Sequence, residues 1–317
     1  MKIFLDTNVY DYIAKNGFYK KLKDFFQENL CDIIVSLGIV FEIARISDEE
    51  LRNKCFQVVW KLGTIYPKFP ESYLETQEVI NEFKRCRPDW IYSMPHNEKE
   101  IWGYVHNYRS IINFFKRNGF LETNESFDEY ISLTERAISK GNPMDKSVRQ
   151  ALLKYENLEV GSEDPEIQNL FTPLPDSERF WRSKSSTIWR LALKGDPSMR
   201  DYKDWLLPHL RKTSVGKMEW ESFWLRDLNS RNVPRTYVRG LTEYFQLKFR
   251  ITHGNMIDSN HSLNLVGNHL FLTGDKNYFE VLQKVVRNST LRIAKPLFVD
   301  RNNNDACDEI MKVVRTA

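Results

Sequence analysis

The chain of 317 residues is 41% hydrophobic and 28% charged, with a mean hydropathy of -0.52. That is the balance of a soluble globular protein with room for about two domains. Its richest apolar stretch, "CDIIVSLGIVFEIARI", is broken by Asp32, Ser36, Glu42 and Arg45, short of the ~18 apolar residues of a membrane span, so no membrane partner is expected. Four cysteines, at 31, 55, 86 and 307, show no C-x-x-C spacing. With no secretory leader ahead of the first strand, they imply a reducing, cytoplasmic setting without disulfides or structural zinc.

The opening "MKIFLDTNVYDYIAKNG" predicts a short buried strand over 2–5, a polar turn at Asp6, Thr7 and Asn8, and a helix closing on Gly17. A helix in "FYKKLKDFFQENL", a strand in "DIIVS", a helix in "IVFEIARI" and another from Asp48 to about Leu62 complete the α/β pattern of the first part. Residues 63–249 have helical period almost throughout. Examples are "SYLETQEVINEFKR", "NEKEIWGYVHNYRSIINFFKRNG" and "SFDEYISLTERAISKG", the last with Ser126 at its cap and Glu129 three residues on. All eight tryptophans, Trp60 to Trp224, lie in this stretch or at its edge, and Pro143, 161–165 and "FTPLPDSERF" mark loops. The α/β pattern then returns with a helix from about Asp258 to Val266, the strand "LFLTGD", a helix from Asn277 to about Val286, the strand "PLFV" and a helix from about Asp305. The expected fold is therefore an α/β domain with a parallel sheet and flanking helices, built from 1–62 and 250–317 and split by an all-helical inserted module over 63–249.

Strands of a parallel sheet end at one edge, and ligand sites form in the crevice outside that edge. Asp6 ends the first strand and Asp275 the strand after the insertion; Asp258 opens the preceding helix and Glu42 lies on the helix after "DIIVS". The plain alternative for Asp6 is a helix cap. Four converging carboxylates repel one another, and a hard divalent cation, Mg²⁺ or Mn²⁺, resolves that repulsion.

"IFLDTNVY", "VSLGIVFEI", "MIDSNHSL" and "LFLTGDKNYFEVL" resemble, in order and spacing, the four acidic motifs of the PIN-domain nucleases. The resemblance covers residues 1–62 and 250–317. It implies a PIN-like sheet and a metal-dependent endoribonuclease in which Asp6, Glu42, Asp258 and Asp275 bind metal and catalyse, while Asn8 and Thr273 buttress them. His261 stands one turn after Asp258, where smaller relatives carry an apolar or small residue, and it is assigned a supporting role toward metal water or phosphate. The inserted module is the second departure from the family pattern. Two other readings stand beside this one: a catalytically silent PIN fold that binds nucleic acid or protein, and a structure-specific DNA nuclease. Glycine-rich phosphate loops and a nucleophile elbow are absent, and Asn8 stands where a haloacid-dehalogenase-type enzyme needs its second acid.

The net charge of +3 hides an asymmetry. Residues 177–250 hold 16 Lys and Arg against 8 Asp and Glu, which leaves 30 against 35 in the rest. Arg182, Lys184, Arg190, Arg231, Arg235 and Arg239 alternate with Phe180, Trp181, Trp189 and Tyr237, a composition that suits the phosphates and splayed bases of RNA. RNA is thus the expected partner, with single-stranded DNA second. The plain alternative makes the aromatics core and leaves the cations as a solvated face, the module then serving as a docking surface for a protein.

Overall fold

The structure, a computed structural model, describes residues 1–63, 66–118, 169–170, 174–196, 199–211, 215–247, 255–302 and 305–316. In chain order come β1 (Lys2–Leu5), α1 (Thr7–Asn16), α2 (Tyr19–Glu28), β2 (Asp32–Ile34), α3 (Leu37–Ala44) and α4 (Glu49–Lys61). Next are α5 (Glu71–Cys86), α6 (Glu98–Asn118), α7 (Asp176–Leu193), α8 (Arg200–Leu206), α9 (Lys217–Ser222) and α10 (Pro234–Gln246). The last are α11 (Asn255–His261), β3 (Leu270–Thr273), α12 (Lys276–Asn288), β4 (Lys295–Phe298) and α13 (Ala306–Arg315). The helix capped by Ser126 and the loops at Pro143 and 161–165 lie outside the described residues.

Two compact units emerge. One comprises Met1–Pro70 and Asn260–Ala317 with a stretch starting at Tyr108; the other comprises Glu71–Asn107 with a stretch ending at Ser259. The sequence had put the boundaries at 62/63 and 249/250.

The first unit is mixed α/β. Its four strands are all parallel, in the order β2-β1-β3-β4. Ile3, Phe4, Leu5, Phe271 and Leu272 have no exposed surface, as befits strands covered on both faces. Phe4 pairs with Phe271 in register, their rings 4.9 Å apart. The ladder continues one step past β1, where the Asp6 amide donates to the Leu272 carbonyl (2.9 Å). Asp6 and Thr273 thereby leave the sheet side by side. Helix ends follow their sequence signals: Gly17 closes α1 in the left-handed conformation (φ 73°), and Asp48 and Asp305 cap α4 and α13 through their side chains. The helix expected from Asp258 starts earlier, at Asn255, and tightens into a 3₁₀ turn over Ser262–Leu265.

Among the described residues the second unit is helical apart from a single bridge between Ile91 and Leu210. Trp90, Trp181, Trp189, Trp220 and Trp224 are buried in its core, with Trp90 stacked on Trp220 at 5.7 Å and 15°. α7 packs closely on α10 because Gly240 has no side chain: a Cβ there would stand 2.4 Å from the Trp181 Cβ. The helix propensity lost at this glycine, about 1 kcal/mol, is offset by that contact.

Candidate metal centre

Asp6 is both a helix cap and more than one. Its Oδ1 accepts the Thr7 amide (2.8 Å), while its Oδ2 accepts the Asn8 side-chain amide (2.6 Å) and the Thr273 hydroxyl (2.7 Å). Asn8 fixes the neighbouring loop as well, since its Oδ1 accepts the Gly274 amide at 2.5 Å. Asn8 and Thr273 therefore hold Asp6 in place from α1 and β3. The Thr7 hydroxyl donates to Glu42 Oε2, which ties α3 to the start of α1.

His261 completes the group. Its Nδ1 stands 3.5 Å from Asp6 Oδ1 and 3.7 Å from Glu42 Oε2. Each of the three residues offers one ligand atom within 4.8 Å of the others, and theirs is the one such group among the described residues. Gly38 leaves the room: a Cβ on it would stand 3.1 Å from His261 Nε2. Phe4 meets the imidazole edge-on at 6.0 Å. The Asp6 and His261 side chains are 5% and 2% exposed and Glu42's is 23% exposed, so Glu42 is the member that reaches solvent.

The electrostatics separate the two acids. Burial pushes the Asp6 carboxyl up, but the His261 imidazole, the Thr273 hydroxyl and the Thr7 amide outweigh it and hold Asp6 below the ordinary carboxylate value. Burial also pushes Glu42 up; there His261, Thr7 and Arg45 oppose it, the Asp6 charge reinforces it, and the net direction is upward. Two acids this close favour a cation between them. The donor set fits one, because ligand atoms sharing an ion at about 2.1 Å stand ~3–4 Å apart.

The other two expected acids are not members of this three-residue group. Asp275 is exposed and caps α12 by accepting the Tyr278 amide (2.9 Å), and its own amide donates to Thr273 Oγ1 (3.1 Å). It opens on a cleft of about 600 Å³ at the ends of β3 and β4. Asp258 is half-buried on α11, in the chain segment assigned to the second unit. Neither belongs to the Asp6–Glu42–His261 group. Sequence reasoning missed Thr7 and Gly38. The first had a signal in its place directly after Asp6; the second had none, because its role depends on a residue more than two hundred positions away.

Five of the six cations expected to contact RNA are paired with acids of their own unit. Arg239 is 4% exposed and pairs with the fully buried Glu75 (2.9 Å), which also accepts the Thr236 hydroxyl. Arg235 pairs with Glu78, and Arg182 is held by Glu178 (3.0 Å) and the carbonyls of Trp224 and Leu228. Lys184 and Arg190 face Glu243 and Glu221 at 3.8 and 3.5 Å. Arg231 alone of the six is exposed. The acids that neutralise Arg235 and Arg239 come from α5, where Glu75, Glu78 and Glu82 share one face at helical spacing. Trp181 and Trp189 are core, with no exposed surface for stacking on bases. No protein-family model, no curated protein and no solved structure matches this chain.

Proposed function

We propose that the protein is a divalent-metal-dependent nuclease, an endoribonuclease with a PIN-like α/β domain, whose metal is held by Asp6, Glu42 and His261. One observation carries the reading: three ligand side chains from three distant segments meet within 4.8 Å where β1 and β3 end. A cation held there supplies positive charge that neutralises the acids and polarises a phosphoryl oxygen. The chain's own part is to bind and orient. Asn8 and Thr273 take up Asp6 Oδ2, Thr7 fixes Glu42 Oε2, and the partly exposed Glu42 is the acid that meets the substrate side. The imidazole favours Mn²⁺ over Mg²⁺, which prefers an all-oxygen shell.

Calorimetric titration with Mn²⁺, run beside incubation of RNA with Mn²⁺ or EDTA, tests this. Metal-dependent cleavage and a binding heat lost in Glu42→Gln support it; full binding and cleavage by that variant overturn it. The low exposure of Asp6 and His261 favours a second reading, a PIN-like domain that binds nucleic acid without cutting it. Mn²⁺ binding with intact RNA at every metal concentration would select that one. A defined single-stranded DNA in the same assay separates ribonuclease from deoxyribonuclease.

A further inference from the structure

We propose that the cleft at the ends of β3 and β4 is a phosphate-binding subsite, in which Arg301 and Lys276 hold the backbone of the strand presented to the Asp6 centre. The proposal rests on the nuclease reading for its substrate and on separate residues for its argument. The cleft, about 600 Å³, is lined by Lys15, Asp275, Lys276, Phe298, Asp300 and Arg301, with Asp11 beside Lys15. Its charges are not equally available. Lys15 is spent on Asp11 at 2.8 Å. Asp275 and Asp300 each turn an oxygen to a backbone amide, those of Tyr278 (2.9 Å) and Asn302 (3.0 Å). Arg301 and Lys276 are exposed and have no carboxylate partner among the described residues. Their donors are unspent, and a guanidinium beside an ammonium calls for an anion rich in acceptors, as a phosphodiester is.

The backbone is shaped around Arg301. Its side chain lies across Gly274, where an added Cβ would stand 2.7 Å from Arg301 Cδ and 2.9 Å from Cγ. The Gly274 amide is in turn held by Asn8, the residue that holds Asp6. Arg301 is thus linked to the metal centre through one glycine and one asparagine. Five of the six cations singled out in the helical unit, Arg182, Lys184, Arg190, Arg235 and Arg239, are instead paired with acids within it.

The test is binding of a short labelled single-stranded RNA in EDTA over a series of salt concentrations. Arg301→Gln with Lys276→Gln should weaken binding at least about 10-fold and flatten the salt dependence by about 1.4, the loss of two single-strand phosphate contacts. Gly274→Ala should also weaken binding with every charge intact, since its methyl displaces the Arg301 stem. Single-stranded DNA should suffer the same loss, and inorganic phosphate should compete. A folded double variant with the wild-type affinity and salt slope overturns the proposal, as does wild-type protein that binds no RNA. Mn²⁺ calorimetry on the same proteins keeps the two ideas apart. Unchanged RNA binding with intact metal binding and cleavage sinks only the subsite. Arg301-dependent RNA binding without any metal binding sinks only the nuclease reading.

Discussion

The Thr7 hydroxyl donates to Glu42 Oε2 across 35 residues of sequence, while the Thr7 backbone amide donates to Asp6. One residue thus holds both carboxylates of the centre, by two different groups. Thr7→Val keeps the shape and the amide but removes the hydroxyl. Partners that orient a ligand are worth about 10- to 100-fold in metal affinity, so Mn²⁺ affinity should fall by about that factor. Thr7→Ser should restore most of it. Equal affinity in the valine and serine variants, read by calorimetry, would mean that Glu42 is not oriented through this bond.

Asp6→Asn looks conservative at a helix cap, and the burial of the site changes that expectation. Asp6 accepts three donors while almost fully buried. The asparagine amide would turn an NH₂ toward donors from Asn8, Thr273 or Thr7. An unsatisfied buried donor costs about 1–3 kcal/mol, so the variant should melt lower yet still fold. Below that melting point its cleavage rate should be down at least about 100-fold, roughly 2.7 kcal/mol of transition-state stabilisation. A variant with wild-type rate would leave Asp6 as a cap alone.

Much of the α/β unit was legible because its signals are local. "KIFL", "DIIVS", "LFLTG" and "PLFV" are apolar runs too short for helices, and Gly17, Asp48 and Asp305 punctuate the helices that they end or begin. Asp6 was legible for the same reason, standing at a strand end. The pairing of the arginines was not. A charge count over 177–250 cannot see Glu75 and Glu78, which lie 164 and 157 positions from their partners. Nor could spacing show that Asp275 would cap α12 with one carboxylate oxygen and stand outside the Asp6–Glu42–His261 group, since a cap and a ligand look alike in sequence.

The Glu75–Arg239 pair should behave as a unit. Glu75 has no exposed surface and Arg239 is 4% exposed. Arg239→Met would strand a buried carboxylate and should cost about 3–5 kcal/mol. Glu75→Leu with Arg239→Met should cost clearly less than the two single changes added, because each single change leaves an unpaired charge. Chemical denaturation of the four proteins gives the coupling. Additive losses would show that the pair contributes nothing as a pair.

Stability should also carry a signature of His209. This residue is 5% exposed, with neither ring nitrogen hydrogen-bonded, and burial with the charges of Lys84 and His96 lowers its pKa to about 4. The unfolded value is near 6.5, so between about pH 6.5 and 4 the unfolded chain takes up a proton that the folded chain refuses. Stability is then fully present above 6.5 and lost as the pH falls. Discounted for partial hydration, the loss by pH 5 is on the order of 1–2 kcal/mol. Glu78 acts in the opposite sense: burial raises it to about 7 against the pull of Arg235, so protonating it on acidification favours the fold. The comparison must therefore be between wild type and His209→Leu, in which the Glu78 contribution cancels. Urea unfolding at pH 7 and pH 5 should show the leucine variant gaining about 1–2 kcal/mol on wild type as the pH drops. A difference that does not change with pH would place the proton equally on His209 in both states.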